Sequence, residues 1–479
     1  MMTPTPPRAG SYRYIALAFI TIVLALSVGD RATLSVAGPE MSKALGISPI
    51  GMGWLFSSFA WAYALGQIPG GWIVDRLGVK RSLMWGLILW SLVTFGMGFA
   101  PWFAAPFVML MIMRFVLGIC ESPVTPGSAR VLAAWFPSGE RGMAGSIFNS
   151  AQYIALVLFS PLMGWLSHRF GWESVFTVMG SIGLLLAFVW NLGFFVPARH
   201  PRPNPAEISY IAAGGALIDV DADTGRTAAT GGAEKTAHVP VLQALAALFG
   251  SRMLVGIFIA QYGINAITWF FVSWFPTYLV KGLGFTILQA GFLAALPAVC
   301  GVVGAVISGF FSDYLLKKTG SLSIARKVPI TIGLFMSALM IGCNYTRSET
   351  LVIFLMSAAF FGKGFGSLGW TVVADTAPKQ VIGLTGGVFS AIGNSAGIVT
   401  PLVIGYILAG TNSFEYALLF VGLHGIMAVL SYWLIVGKIE RFELPGLVGA
   451  CAAPAMACPD PGHAAAGPAP RPSPEKTTA

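Results

Sequence analysis

The run Gly71-Trp-Ile-Val-Asp75-Arg76-Leu-Gly78-Val-Lys80-Arg81 closes one long apolar segment. A shorter echo, Gly309-Phe-Phe-Ser-Asp313, closes another and is followed by Lys317, Lys318, Arg326 and Lys327. Gly-x-x-x-Asp and then basic residues stand at the same end of the second segment of each half. That repetition marks an internal duplication, and paired repeats of membrane helices are a transporter architecture. Working outward from the two motifs, apolar runs separated by charged or Pro/Gly-rich breaks occupy about 14–38, 51–73, 82–100, 106–130, 143–166, 174–196, 252–279, 287–315, 328–345, 350–374, 382–409 and 414–437. Each is long enough to cross the hydrocarbon as a helix, which takes about 20 residues. None shows the dyad alternation of a membrane strand. The predicted fold class is therefore an all-α membrane protein, with twelve transmembrane helices in two pseudo-symmetric six-helix bundles.

Composition agrees. Only 10% of the 479 residues are charged and 56% are hydrophobic, whereas a soluble globular chain carries roughly 25% charged residues. A cytosolic enzyme, a disordered chain and a disulfide scaffold are excluded. The net charge of +9 would fit a nucleic-acid partner, but its distribution does not. With both termini placed in the cytoplasm, 21 of the Lys and Arg residues fall on the inner side and 4 in outer loops, and Arg31, Arg114 and Lys363 lie inside spans. This is the positive-inside pattern, so the basic excess serves insertion and no nucleic acid is expected. The five cysteines, Cys120, Cys300, Cys343, Cys451 and Cys458, have neither zinc-ligand nor redox spacing. No metal and no cofactor are expected.

The predicted organisation is an N-terminal tail (1–13), an N-terminal bundle (14–196), a cytoplasmic linker (197–251) with one short surface helix near 205–214, a C-terminal bundle (252–437) and a largely disordered tail (438–479). The chain is expected to act as a monomer.

Charges inside the spans carry the chemistry. A charge at the bilayer centre costs from about 2.5 to more than 10 kcal/mol, so such groups face the interior and find partners. Asp30 and Arg31 lie on the first span, and Arg114 and Glu121 on the fourth, two turns apart on one face. A carboxylate in a closing, low-dielectric chamber is driven toward protonation by desolvation and away from it by a nearby arginine. The four residues therefore form a candidate proton-coupling and anion site, with Arg114 the most structural of them. A static ion pair joining the two helices is the alternative. In the second half Lys363 has no carboxylate at its depth, which makes a ligand anion its candidate partner; snorkelling or bonding to backbone carbonyls is the other reading. Tyr63, Gln152, Gln261, Asn265, Ser367, Ser390 and Asn394 lie at similar depth and together favour a polyhydroxylated ligand, although each alone also serves as interhelical glue. Trp269 and Trp370 are candidates to stack on a carbon skeleton. His424 reads as a packing residue. At the inner surface Asp75, Arg76, Arg81, Glu140, Arg141 and Asp313 are candidate gate residues, whose ion pairs would favour one access state.

These motifs resemble the major facilitator superfamily. Gly29-Asp-Arg-Ala-Thr-Leu-Ser-Val-Ala37, Trp61-Ala-Tyr-Ala-Leu-Gly-Gln-Ile-Pro-Gly-Gly-Trp72, Trp135-Phe-Pro-Ser-Gly-Glu-Arg-Gly142 and Phe148-Asn-Ser-Ala-Gln-Tyr153 are similar to its anion:cation symporter family. Tyr210-Ile-Ala-Ala-Gly-Gly-Ala-Leu-Ile218, Phe360-Phe-Gly-Lys-Gly364 and Ala374-Asp-Thr-Ala-Pro-Lys379 resemble bacterial glucarate/galactarate proton symporters. The likeness covers about residues 12–444. It implies proton-coupled uptake of a sugar-acid dianion by alternating access and no enzymatic activity. Asp30 and Glu121 match the protonatable carboxylates, and Arg31 the arginine that couples substrate to protons. Tyr63, Gln152, Ser367 and Trp370 match sugar-acid contacts. Galactonate carriers, which take a monoanion, tend to have Asn where Lys363 stands. There are departures from the family pattern at Val28, Ser128 and Ser390. Symport or exchange of galactonate, a hexuronate or an aromatic acid stays open, as does a transporter-like membrane sensor.

Overall fold

The computed structural model describes residues 10–137, 140–201, 204–218, 241–378 and 381–443. Among them, ten helices are long and apolar enough to cross a membrane. In chain order with two further long helices they are α1 (Tyr12–Ala44), α2 (Pro49–Leu77), α3 (Val79–Met97), α4 (Pro106–Trp135), α5 (Arg141–Phe170) and α6 (Trp172–Gly193), then, after the linker helices α7 (Pro205–Ala213) and α8 (Val241–Gly250), α9 (Arg252–Ser273), α10 (Ile287–Thr319), α11 (Leu322–Tyr345), α12 (Glu349–Thr376), α13 (Ile382–Thr411) and α14 (Glu415–Ile435). The two further helices are α2 and α3. They are less apolar because α2 carries serines, glycines and the Asp75-Arg76 pair, yet both pack among the others. Each predicted run is thus a helix. Residues 219–240 of the linker and the tail beyond 443, with Cys451 and Cys458, lie outside the described residues.

Local chemistry sets the helix ends. Ser48 caps α2 by accepting from Gly51 N at 3.1 Å, with Pro49 in the first turn. Thr286 and Gln289 form a capping box on α10. The motif glycine Gly78 stands between α2 and α3 at φ 79°, and Gly320 between α10 and α11 at φ 64°. Such positive φ values favour glycine; ψ is 159° at Gly78 and 2° at Gly320, so the two halves turn the chain differently at this point.

The halves meet through α2 with α13 and α5 with α10, and their tightest approach is at the end of the bundle opposite the Asp75 and Asp313 motifs. A Cβ on Gly53 would stand 2.8 Å from Pro401 O, and one on Gly164 would stand 2.9 Å from Gly291 Cα. Ser35 donates to Ser273 O, Ser57 to Ile398 O and Lys281 to Ser42 across the same seam. About 28 Å nearer the motif end, at 1.5 Å per residue, Gly145 of α5 and Gly309 of α10 have nothing within 4 Å of a built Cβ. Gly387 of α13 is equally open. The halves are closed far from the motifs and stand apart beside them.

The linker helix is docked rather than lying loose on the surface. Glu207 of α7 is buried, and its carboxylate accepts the Tyr12 and Arg13 backbone N–H groups at 3.2 and 3.1 Å. It thereby caps α1, whose own N-cap residue Ser11 makes no side-chain cap.

Candidate functional site

The N-terminal half places its four intramembrane charges in one buried cluster. Glu121 is fully buried and ends the first part of α4, where Ser122-Pro123 breaks the helix. Pro123 has no N–H for the Ile119 carbonyl; Ser122 serves it instead, through its N–H at 3.2 Å and its hydroxyl at 2.8 Å. Beside this break Glu121 Oε2 accepts Ser27 Oγ at 2.7 Å and Arg31 Nε at 3.1 Å, and Arg31 Nη2 reaches Ser27 Oγ at 3.2 Å. The Arg31 guanidinium lies over the Tyr63 and Phe59 rings at 4.5 and 5.0 Å, and Arg114 is on Phe59 at 5.2 Å. Arg114 also donates to Leu55 O at 3.4 Å. Asp30 is fully buried in the same surroundings, near Glu121, Arg114, Arg31 and the Trp90 indole, yet neither of its oxygens meets a donor in hydrogen-bond geometry. Glu121 Oε1 and Arg114 Nη1 are likewise without partners. Buried polar atoms rarely stay unpaired. Several of the unpartnered atoms, on Asp30, Trp90, Arg114 and Glu121, lie together where α1, α3 and α4 meet.

The C-terminal half supplies neutral polar groups and one cation. Gln261 Nε2 donates to Asn265 Oδ1 at 3.4 Å on α9, and Asn394 Nδ2 to Ser390 Oγ at 3.3 Å on α13. Gly393 makes room between them: a Cβ there would stand 2.7 Å from Asn265 Nδ2 and 2.9 Å from Gln261 Cγ. Ser367 and Trp370 are exposed; Ser367 Oγ is 3.5 Å from Ser308 Oγ, and Trp370 meets Phe389 at 4.9 Å. Close packing of α12 on α10, where a Cβ on Gly364 would be 2.5 Å from Gly301 O, fixes the backbone beside Lys363. The Lys363 ammonium donates to Tyr153 Oη of α5 at 3.2 Å. Across the gap Gln152 of α5 is exposed, and Tyr63 Oη shares a hydrogen bond with Thr125 Oγ1 at 2.9 Å.

The helix set and the duplicated motif can be set against known proteins. The model of the Major Facilitator Superfamily matches residues 20–325. The chain belongs to the Major Facilitator Superfamily. It is a multi-pass membrane transporter and not an enzyme. It is 50% identical over 439 residues to the "Probable galactarate/D-glucarate transporter GudP" of Escherichia coli (strain K12), covering 91% of this chain and 96% of that protein. It is 37% identical over 434 residues to the "D-galactonate transporter" of Escherichia coli O6:H1, covering 91% and 98%. Among solved structures, a bacterial homolog of the human lysosomal transporter Spinster, inward-facing and unoccupied, superposes with a TM-score of 0.68 at 17% identity, covering 90% of this chain and 98% of that one. A D-xylose-proton symporter gives 0.65 at 17% identity, covering 90% and 99%. Both show the major facilitator fold.

Within that fold the candidate gate residues find the following partners. Asp75 does form an ion pair, with Arg130 of α4, but Arg76 lies on the Trp72 ring at 4.1 Å and Arg81 is exposed. Glu140 and Arg141 do not serve each other. Glu140 accepts Arg13 Nε at 3.1 Å and the Tyr210 hydroxyl at 2.6 Å, and the bonded carboxylate pushes the Tyr210 phenol above its ordinary value. Arg141 instead donates to the Phe136, Ala133 and Gly215 carbonyls. Asp313 is 4.0 Å from Arg326, whose nearer partners are Asp375 at 2.9 Å and Ser312 at 2.7 Å. Each of these pairs lies within one half or between a half and the linker. Trp269 is buried against Gly397 and His424 bonds Phe420 O at 2.8 Å, so both pack within the C-terminal half. Sequence reasoning missed Ser27, Phe59, Thr125 and Tyr153. Ser27 was findable, since it stands one helical turn before Arg31.

Proposed function

We propose that this transporter imports hexarate dianions, glucarate or galactarate, together with protons, through the bacterial inner membrane. Both termini and the motif end of the bundle face the cytoplasm, and the chain works as a monomer without a cofactor. One observation carries the reading: the Arg31–Glu121 pair ties up the substrate-binding arginine with a protonatable carboxylate, while Lys363 stands in the other half with no carboxylate partner among the described residues.

The sequence of events follows from charge. Asp30, Glu121, Arg31 and Arg114 cancel. A proton on Glu121 removes its hold on Arg31, and a proton on Asp30 removes a charge that no donor serves. The first proton leaves the chamber at +2 when Lys363 is counted, which a dianion cancels. Arg31 then takes one carboxylate and Lys363 the other. Tyr63, Gln152, Gln261, Asn265, Ser367, Ser390 and Asn394 offer hydrogen bonds to the hydroxyls, and Trp370 an apolar face. Rocking of the halves closes the outer side, and opening toward the cytoplasm lets water return to the carboxyls, which release protons and substrate. The names of relatives at 50% identity support the substrate class.

The test is purified protein in liposomes with an inward proton gradient. Labelled D-glucarate should accumulate above its outside concentration, and a proton ionophore should abolish the accumulation. If the gradient drives uptake of no sugar acid, the proposal fails.

A further inference from the structure

Among the described residues the Lys363 ammonium has one hydrogen-bond partner, and it is on the other half of the molecule. Among the described residues no carboxylate lies within ion-pair distance of it. It donates to Tyr153 Oη at 3.2 Å, sits 4.9 Å from the Tyr153 ring centre, and is 5.3 Å from that of Phe360. Tyr153 and Phe360 pack edge to face at 6.1 Å, and Phe360 packs on Phe271 at 4.3 Å. The pair therefore lies against a wall of aromatic carbon, where an ionic hydrogen bond is screened less than in water.

Donor counting gives the pair a direction. An ammonium has three N–H donors and no acceptor, and a phenol has one O–H donor and accepting lone pairs. Because Lys363 donates to the phenol oxygen, the phenol's own hydrogen cannot point back at the ammonium. No second hydrogen bond of Tyr153 Oη is made among the described residues. Two ammonium N–H groups and one phenolic O–H are thus left to converge on a third body beside them. A group that takes donors of both kinds at once is a carboxylate, with two oxygens and about four lone-pair directions. A lone sugar hydroxyl answers this less well, since it leaves the ammonium charge uncompensated.

We propose that Tyr153 is a specificity-determining residue that forms, with Lys363, the subsite for the second carboxylate of a dianionic substrate. Before substrate binds, its hydroxyl holds the ammonium in place. When the carboxylate arrives, the ammonium turns to it and the hydroxyl donates to its other oxygen. Tyr153 is on α5 and Lys363 on α12, so a direct link between the halves becomes one bridged by the substrate, and a monoanion cannot make that bridge. This rests on the hexarate reading above and adds the residue that selects for the second charge.

Equilibrium binding of D-glucarate and D-galactonate to the detergent-purified full chain tests it, using wild type, Tyr153→Phe, Lys363→Asn and the double variant. Tyr153→Phe keeps the ring and loses only the hydroxyl. It should weaken glucarate about tenfold, near the lower end of the loss of a hydrogen bond to a charged group, and change galactonate less than about twofold. On the Lys363→Asn background the same substitution should cost glucarate less than about threefold. Equal weakening of both acids, an unchanged glucarate affinity, or single losses that multiply in the double variant would each overturn the assignment. A wild type that binds galactonate but not glucarate sinks the hexarate reading itself, a result distinct from a glucarate-binding wild type indifferent to Tyr153→Phe.

Discussion

The two halves share a fold and a repeated motif, but they hold charge in opposite ways. The N-terminal half buries two acids and two arginines that sum to zero, with Glu121 bonded to Ser27 and Arg31. At the depth of that cluster the C-terminal half contributes one ammonium, Lys363, whose hydrogen-bond partner among the described residues is the Tyr153 phenol of the other half. A balanced cluster changes its net charge only by gaining or losing a proton. An unbalanced cation asks for an anion from outside. On the proposed function, a handful of side chains on two similar scaffolds divides proton handling from anion binding.

The sharpest way to break that comparison is to remove the titratable group from the balanced side. Glu121→Gln keeps the shape and the bond to Ser27 but fixes the neutral form, so the ion pair that holds Arg31 is lost permanently. Proton-driven accumulation of glucarate should vanish, while exchange of internal for external glucarate persists at a rate within about fivefold of wild type. Liposomes loaded with unlabelled substrate and no gradient measure the second quantity. If the variant still accumulates substrate, the N-terminal cluster is not the coupling site and the division between halves is wrong.

A smaller effect is expected on the unbalanced side. Lys363→Asn removes the uncompensated charge and leaves an amide. Charge-assisted hydrogen bonds run roughly twice as strong as neutral ones, so glucarate should weaken by about thirtyfold and galactonate by no more than about threefold. The coupling should survive: whatever is carried should still be driven by the proton gradient. A competition panel of aldarates and aldonates in the uptake assay reads both. Equal losses across the panel would return Lys363 to a packing role.

How much of this was legible depends on distance along the chain. The twelve helices were readable because each is a local run of apolar residues, and the N-terminal cluster because Asp30, Arg31, Arg114 and Glu121 are costly in lipid wherever they point. Partnerships were harder. Glu140 and Arg141 were legible as inner-surface charges, but their partners were not: Glu140 accepts from Arg13, 127 residues away. Tyr153 meets Lys363 across 210 residues and between halves, and no periodicity encodes such a contact. Tyrosine is also an ordinary membrane residue that carries no penalty to flag it. The docked linker was legible as a helix, through Asn204, Pro205 and its apolar positions, but not as a brace, because one buried carboxylate, Glu207, makes the difference.

That brace gives the mildest prediction, at the motif ends of the two halves. The N-terminal half has its first helix capped by Glu207 from the linker, with Arg13 also 3.6 Å from that carboxylate. The C-terminal half ties its motif through Arg326, Asp375 and Ser312, all within its own helices. Glu207→Ala leaves two backbone N–H groups of α1 without their acceptor, and losing a helix cap costs about 1 kcal/mol. In a chain of this size that lowers the melting temperature by about 2 °C or less, since the shift per kcal/mol shrinks as the protein grows. Lys318→Ala, at an exposed position of α10 near the other motif, should move it less. Glucarate affinity should stay within about twofold in both, because among the described residues the linker contacts neither the cluster around Glu121 nor Lys363. If the two substitutions shift melting equally, the N-terminal half is not specially braced. If Glu207→Ala weakens glucarate severalfold, the linker reaches the substrate chamber through α1, and the separation of brace from binding site fails.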